Sequence, residues 1–144
     1  MKKLYYIING SNLNMLGVRE PDIYGSDGYA ALKASVKATA KRLNARVKIY
    51  QSNHEGDLVD CIQKAFFKGA AGIVINPGAY THTSIAILDA IKATKLPTVE
   101  VHISKVEERE DFRQTSYVRL ASEKTISGHG IDGYSEALEY LCNK

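Results

Sequence analysis

Short runs rich in β-branched and aromatic residues alternate with helix-length amphipathic segments, and this alternation restricts the fold more than any other feature of the chain. The runs are LYYIIN (4–9), RVKIYQ (46–51), GIVIN (72–76), PTVEVHI (97–103) and a weaker KTIS (124–127). Interleaved with them, YAALKASVKATAKRLN (29–44), GDLVDCIQKAFFKG (56–69), THTSIAILDAIKATK (81–95) and GYSEALEYLCNK (133–144) place apolar residues at i, i+3 and i+4. In the third of these, Ile85, Ala86, Ile87, Leu88 and Ile91 form a broad apolar face. Strands that alternate with helices build a parallel sheet. The order β-α-β-α-β-α-β, then a polar loop and β-α, predicts an α/β, flavodoxin-like three-layer sandwich on a five-stranded parallel sheet, with right-handed crossovers covering both faces. A chain of 144 residues, 44% of them hydrophobic, suits one domain over 1–144, and at this length roughly two-thirds of the unfolded surface can be buried.

The remaining composition mainly excludes. A net charge of +3 from scattered basic residues contains no Lys/Arg run of the kind a nucleic acid requires, so no nucleic-acid partner is expected. The two cysteines, Cys61 and Cys142, lie far apart inside helical patterns without CxxC or metal-ligand spacing, and read as reduced packing thiols. MKKLYYIINGSN starts like a signal peptide, but its apolar stretch turns polar at Asn9, and no run of 18 apolar residues follows. The expectation is a cytoplasmic protein without a membrane partner.

A sheet of this kind binds its ligand at the carboxyl ends of the strands. The loops there carry Asn9, Asn12, Asn14, Arg19, Tyr24, Asn53, His54, Asn76, His82, His102, Ser104, Arg109 and Arg113, a concentration of polar groups that marks one edge as a site. Familiar motifs do not account for it. GHGIDG (128–133) satisfies G-x-G-x-x-G, yet it lies too near the end of the sequence for a βαβ unit and its distal acid. His54, His82 and His102 come from three separate loops without HExxH or paired cysteines, so no metal is expected. Ser84 and Asp89 lack a G-x-S-x-G elbow, and every lysine sits in a polar or charged stretch rather than a setting that would desolvate a Schiff-base amine.

The segment LGVREPDIYGSDG (16–28) poses the sharper chemical question, because it sets Arg19 and Tyr24 into a glycine-flanked loop. Tyrosine ionises near pH 10. A guanidinium about 4 Å away, at an effective dielectric near 20, favours the phenolate by about 4 kcal/mol, or roughly three pKa units before desolvation. Arg19 is therefore able to make Tyr24 a base at neutral pH. The bland alternative is a tyrosine ring packed under a loop beside a surface arginine.

Taken in order, NGSNLNMLGVREPDIYG, QSNHEGDLVDCIQKA, INPGAYTHTSIAILDAI, EVHIS, REDFRQTSY and GIDGY resemble type II 3-dehydroquinate dehydratase over nearly the whole chain. The resemblance implies a flavodoxin-like subunit, a dodecamer built from trimers, no cofactor, and loss of water from 3-dehydroquinate to give 3-dehydroshikimate. It implies that Tyr24 removes a proton beside the ketone while Arg19 stabilises the phenolate, on a loop that closes over the substrate. Asn12 then holds a water against the enolate oxygen, and His102 protonates the departing hydroxyl. Glu100, two residues earlier on the same strand and hence on the same face, orients and charges that imidazole. Asn76 and His82 resemble groups that hold ring hydroxyls and the carboxylate. Ile103 and Ser104 offer backbone amides to the carboxylate, and Arg113 binds a ring hydroxyl. Arg109, four residues before it and one helical turn away, resembles a positioning or lid residue, and Asp89 resembles an acid that enters a neighbouring subunit's site.

The chain departs from the family pattern at Ser11, where proline is usual, at Lys105 in place of asparagine, and at Lys124 in place of glycine. Ser11 loosens the first loop, and Lys105 is expected to add positive charge near the substrate. Lys124 is expected to strain its backbone if the position requires positive φ. Two other readings of the fold exist. A nucleotide- or FMN-binding flavodoxin would need more Ser/Thr hydroxyls in NGSNLN, and a response-regulator domain would need acids after the first strand, where Asn9 to Asn14 has none.

Overall fold

The computed structural model describes residues 1–18 and 28–144. Five strands, β1 (Leu4–Asn9), β2 (Arg46–Gln51), β3 (Gly72–Asn76), β4 (Thr98–His102) and β5 (Lys124–Ser127), form one sheet in the order β2-β1-β3-β4-β5. Every pairing is parallel. The helices are α1 (Tyr29–Arg42), α2 (Glu55–Phe67), α3 (Ile85–Thr94) and α4 (Asp132–Cys142).

Strand alternation divides the core in two. Tyr5, Ile7, Val74, Val99 and Val101 face α1 and α4, where they meet Leu32, Val36, Ala137 and Leu138. Leu4, Tyr6, Ile8, Ile73 and Ile75 face α2 and α3, where they meet Leu58, Ile62, Ile87 and Ile91. This is the expected three-layer sandwich. The central strands β1, β3 and β4 are buried along their whole length, whereas β2, at the sheet edge, alternates between exposed and half-buried residues. Both cysteines are free thiols, and burial pushes the Cys61 thiol up to about 12.

Several local expectations are corrected. The third helix begins at Ile85, because the Ser84 hydroxyl caps it by accepting the Ile87 N–H at 3.0 Å, and the preceding Gly78–His82 is a separate 3₁₀ turn. Its apolar face is narrower than periodicity implied: Ile87, Leu88 and Ile91 are buried, while Ile85 and Ala86 are exposed. Arg109 and Arg113 do not share a helical turn, since Arg109 is extended between the 3₁₀ turns Val106–Glu108 and Asp111–Arg113. Lys124 opens β5 opposite Val99, and among the described residues the non-glycine positions with positive φ are Asn12, Asn44 and Lys95. The strain expected at Lys124 is absent.

The loops after β1 and β3 interlock. The Gly10 N–H donates to the Asn76 carbonyl at 2.7 Å, and a Cβ on Gly10 would stand 2.1 Å from the Pro77 oxygen. Gly78 has φ +65, and a Cβ there would stand 2.7 Å from the Ser11 oxygen. Both glycines are therefore set by backbone proximity, and Gly78 also by its left-handed conformation.

Candidate active site

A pocket of about 150 Å³ opens where these loops meet, at the carboxyl ends of β1, β3 and β4. From the first loop Asn12 lines it, beside the apolar Leu13 and Leu16. Asn76 and His82 come from the β3 loop, and His102, Ile103, Ser104, Arg109 and Arg113 from the end of β4 and beyond. Glu100 stands behind His102, fully buried. Most of the polar residues that the strand ends carry thus line one pocket. Asp89 is exposed on α3 and is not part of the lining. Arg19 and Tyr24 lie outside the described residues.

Asn12 has φ 70, a left-handed conformation that asparagine tolerates better than most residues. Its N–H donates to the Asn53 side chain at 2.9 Å, and Gln51 ties Asn53 to Asn14 through bonds of 3.1 and 3.3 Å. Asn14 and Asn53 therefore brace the first loop rather than line the pocket. His54 flanks the start of α2, where its N–H donates to Ser52 at 3.0 Å.

Glu100 is the electrostatic centre. Its Oε2 accepts from His102 Nε2, from the Thr81 hydroxyl at 2.8 Å and from the Ser116 hydroxyl at 2.8 Å. Burial pushes its pKa up, but the His102 hydrogen bond and charge, together with the two hydroxyls, outweigh burial and hold the carboxyl below the ordinary value of 4.5. An ionised Glu100 only accepts, so His102 donates Nε2–H to it and keeps Nδ1 for other chemistry. Nothing in the local sequence marks Thr81 or Ser116 as a partner of Glu100, although they lie in INPGAYTHTSIAILDAI and REDFRQTSY.

His82 is fixed differently. Its Nδ1 lies 2.8 Å from the Thr115 carbonyl, which only accepts, so Nδ1 carries the proton and Nε2 is left as an acceptor. Burial lowers its pKa below 6.5, opposed by the Thr115 bond and assisted by the charges of His102 and Arg113. It is a neutral group near pH 7. Arg113 donates Nε–H to Glu110 at 2.9 Å, and Arg109 Nε lies 3.8 Å from the same carboxylate oxygen. Gln114 ties this segment down by donating to the carbonyls of Val106, Arg109 and Glu110. Lys105 is not in the lining and pairs at 3.9 Å with Glu108, which corrects the expectation of added charge at the ligand.

The arrangement joins an imidazole–carboxylate pair, a neutral histidine, two amides and two guanidiniums around a space below the several-hundred-Å³ clefts of drug-sized ligands. It suits a small, oxygen-rich anion better than a flavin or dinucleotide.

Residues 3–142 match the family described as dehydroquinase class II. A 3-dehydroquinate dehydratase of Nitrobacter winogradskyi is 51% identical over 144 residues, covering 100% of this chain and 92% of the relative. One from Caldicellulosiruptor saccharolyticus is 52% identical over 141 residues, covering 98% and 97%. The crystal structure of type II dehydroquinase from Butyrivibrio crossotus superposes with a TM-score of 0.97 at 46% identity, covering 99% of each chain. The flavodoxin-type nucleotide or FMN reading is not favoured by these matches.

Proposed function

The chain belongs to the class II dehydroquinase family, and from that premise we propose that it is a hydro-lyase converting 3-dehydroquinate to 3-dehydroshikimate through an enolate, in the shikimate pathway. The observation that carries the proposal is the Glu100–His102 pair set at one pocket with Asn12, Asn76, His82 and Arg113, in a chain that matches the family from residue 3 to residue 142.

Tyr24, as a phenolate stabilised by Arg19, takes the proton from the carbon beside the ketone. The electron pair moves onto the ketone oxygen to form an enolate, and Asn12 holds a water against that oxygen. The enolate then re-forms the carbonyl, the new carbon–carbon double bond forms, and the C–O bond to the hydroxyl breaks. That hydroxyl leaves as water with a proton from His102. Because Nε2–H is committed to Glu100, the transferred proton comes from Nδ1 of the imidazolium, whose charge Glu100 balances.

The backbone amides of Ile103 and Ser104 hold the substrate carboxylate, assisted by Asn76 and His82. Neutral His82 accepts a ring hydroxyl at Nε2, and Arg113 donates to another. Arg109 serves as a lid or positioning residue. These steps require no cofactor and no metal.

Assembly is proposed as a dodecamer of trimers in the cytoplasm, with Asp89 entering a neighbouring subunit's site. In support, Ile85 precedes Asp89 by one turn of α3 and is 54% exposed, with Phe112 and Leu120 also exposed. Among the described residues no helix is long and apolar enough to cross a membrane.

The test follows ultraviolet absorbance of the conjugated enone as purified protein meets 3-dehydroquinate. Growth of the band, its near-abolition in Tyr24→Phe and indifference to borohydride are expected. No enone with the unmodified protein refutes the dehydratase reading. Survival of activity in Tyr24→Phe, or its loss to borohydride, refutes the enolate route with Tyr24 as base.

A further inference from the structure

Asn9 and Asn76 are the last residues of neighbouring strands and are register partners. Strand parity sends both side chains to the α1/α4 face, and there both meet the hydroxyl of Tyr134, from the first turn of α4. Tyr134 OH donates to Asn9 Oδ1 at 2.6 Å, and Asn76 Nδ2 donates to the same phenol oxygen at 3.0 Å. Asn76 Oδ1 accepts the Gly78 N–H at 3.1 Å.

A phenol has one proton. Since that proton goes to Asn9, the hydroxyl can only accept from Asn76, which obliges Asn76 to turn its NH₂ toward Tyr134. Gly78 requires the same orientation from the other end of the amide. Asn76 is left with one N–H and one oxygen lone pair for a ligand, each in a fixed direction. Tyr134 is 1% exposed, and burial keeps its hydroxyl protonated by pushing its pKa far above the usual tyrosine range, only partly offset by the Asn76 bond.

We propose that Tyr134 and Asn9 are positioning residues that set the hydrogen-bond polarity of the Asn76 amide toward the substrate. The inference rests on the reading of Asn76 as a substrate-holding group. Neither residue lines the pocket, so both act through Asn76.

The full-length protein is tested as Tyr134→Phe, Asn76→Ala and the double variant, with KM, kcat and Tm measured for 3-dehydroquinate turnover. Tyr134→Phe is expected to raise KM about tenfold with kcat within about twofold, the pattern of lost uniform binding. In the Asn76→Ala background it should leave KM unchanged, because the group it positions is gone. Asn9→Ala is the second variant, used also if Tyr134→Phe fails to fold. It keeps the phenol but releases its proton to face Asn76, and the same rise in KM is expected. A lower Tm with unchanged KM in Tyr134→Phe and Asn9→Ala overturns the proposal, as do additive KM effects in the double variant. If Asn76→Ala itself leaves KM unchanged, the substrate-holding reading of Asn76 fails and the proposal falls with it. An effect of Asn76→Ala without one from Tyr134→Phe or Asn9→Ala refutes the positioning role alone.

Discussion

Glu100→Gln removes one negative charge while leaving volume and shape almost unchanged. The glutamine oxygen can take the place of Oε2, accepting from His102, Thr81 and Ser116, and its NH₂ then faces the Thr125 hydroxyl, which lies 3.4 Å from Oε1. The substitution therefore isolates the Coulombic contribution. Side-chain exposures of 0% for Glu100 and 8% for His102 leave little solvent screening. Two unit charges about 4 Å apart at an effective dielectric near 20 attract by about 4 kcal/mol, which is roughly a thousandfold in rate if it all appears in the barrier. Part of that attraction is already present before proton transfer, so the expected fall in kcat is about 10²- to 10³-fold, with KM changed by less than about threefold. Initial rates of enone formation give both constants, and a thermal melt shows whether the fold survives. A variant that folds and retains kcat within about fivefold of the parent refutes the argument that Glu100 acts by stabilising a charged imidazole.

Glu100 also links stability to pH: its folded pKa is depressed, so its contribution is present above the ordinary carboxylate value of 4.5 and is lost as pH falls through the lower folded value. Melting curves recorded from pH 6 to pH 3 should thus show a steeper loss of Tm for the parent protein than for Glu100→Gln, and parallel curves would count against this linkage. Gly10→Ala should destabilise the protein by about 1–3 kcal/mol or more in urea titration, because its Cβ would stand 2.1 Å from the Pro77 oxygen, and an unchanged midpoint would show that the two loops separate easily. Lys105→Ala should leave KM within about twofold at low and high salt, since Lys105 pairs with Glu108 outside the pocket; a KM that rises and loses its salt dependence would place that charge on the substrate.

The parts of the fold legible in sequence were those determined by local period. β1, β2, β3 and β5 occupy the residues that apolar runs or alternation indicated, because each run ends where a polar or turn-forming residue interrupts it. The same rule misjudged α3: Thr81 and His82 continue the helical spacing, but the capping hydroxyl of Ser84 decides where the helix starts. Period also cannot say which of several adjacent apolar residues faces the sheet, and so it placed Ile85 and Ala86 inside. Four-residue spacing between Arg109 and Arg113 looked like a helical turn, yet two 3₁₀ turns place both guanidiniums beside Glu110.

The pocket was legible for a different reason. Parallel strands deliver their carboxyl ends to one edge, so residues after separate strands converge whatever the distance between them in sequence, and strand parity puts Glu100, which the family resemblance singles out, on the same face as His102. The supporting hydroxyls follow no such rule. Thr81 and Ser116 reach Glu100 from 19 and 16 residues away, and their arrival depends on how a 3₁₀ turn and a loop dock, which no period records. Tyr134 is an intermediate case. Its spacing in α4 marks it only as a core residue, but β1 and β3 both end in asparagine, and aligning those ends in a parallel sheet places two amides side by side on the face that α4 covers. Two adjacent buried amides require a partner there, and among the buried residues of α4, Gly133, Tyr134, Ala137, Leu138 and Leu141, Tyr134 is the one with a hydroxyl to offer.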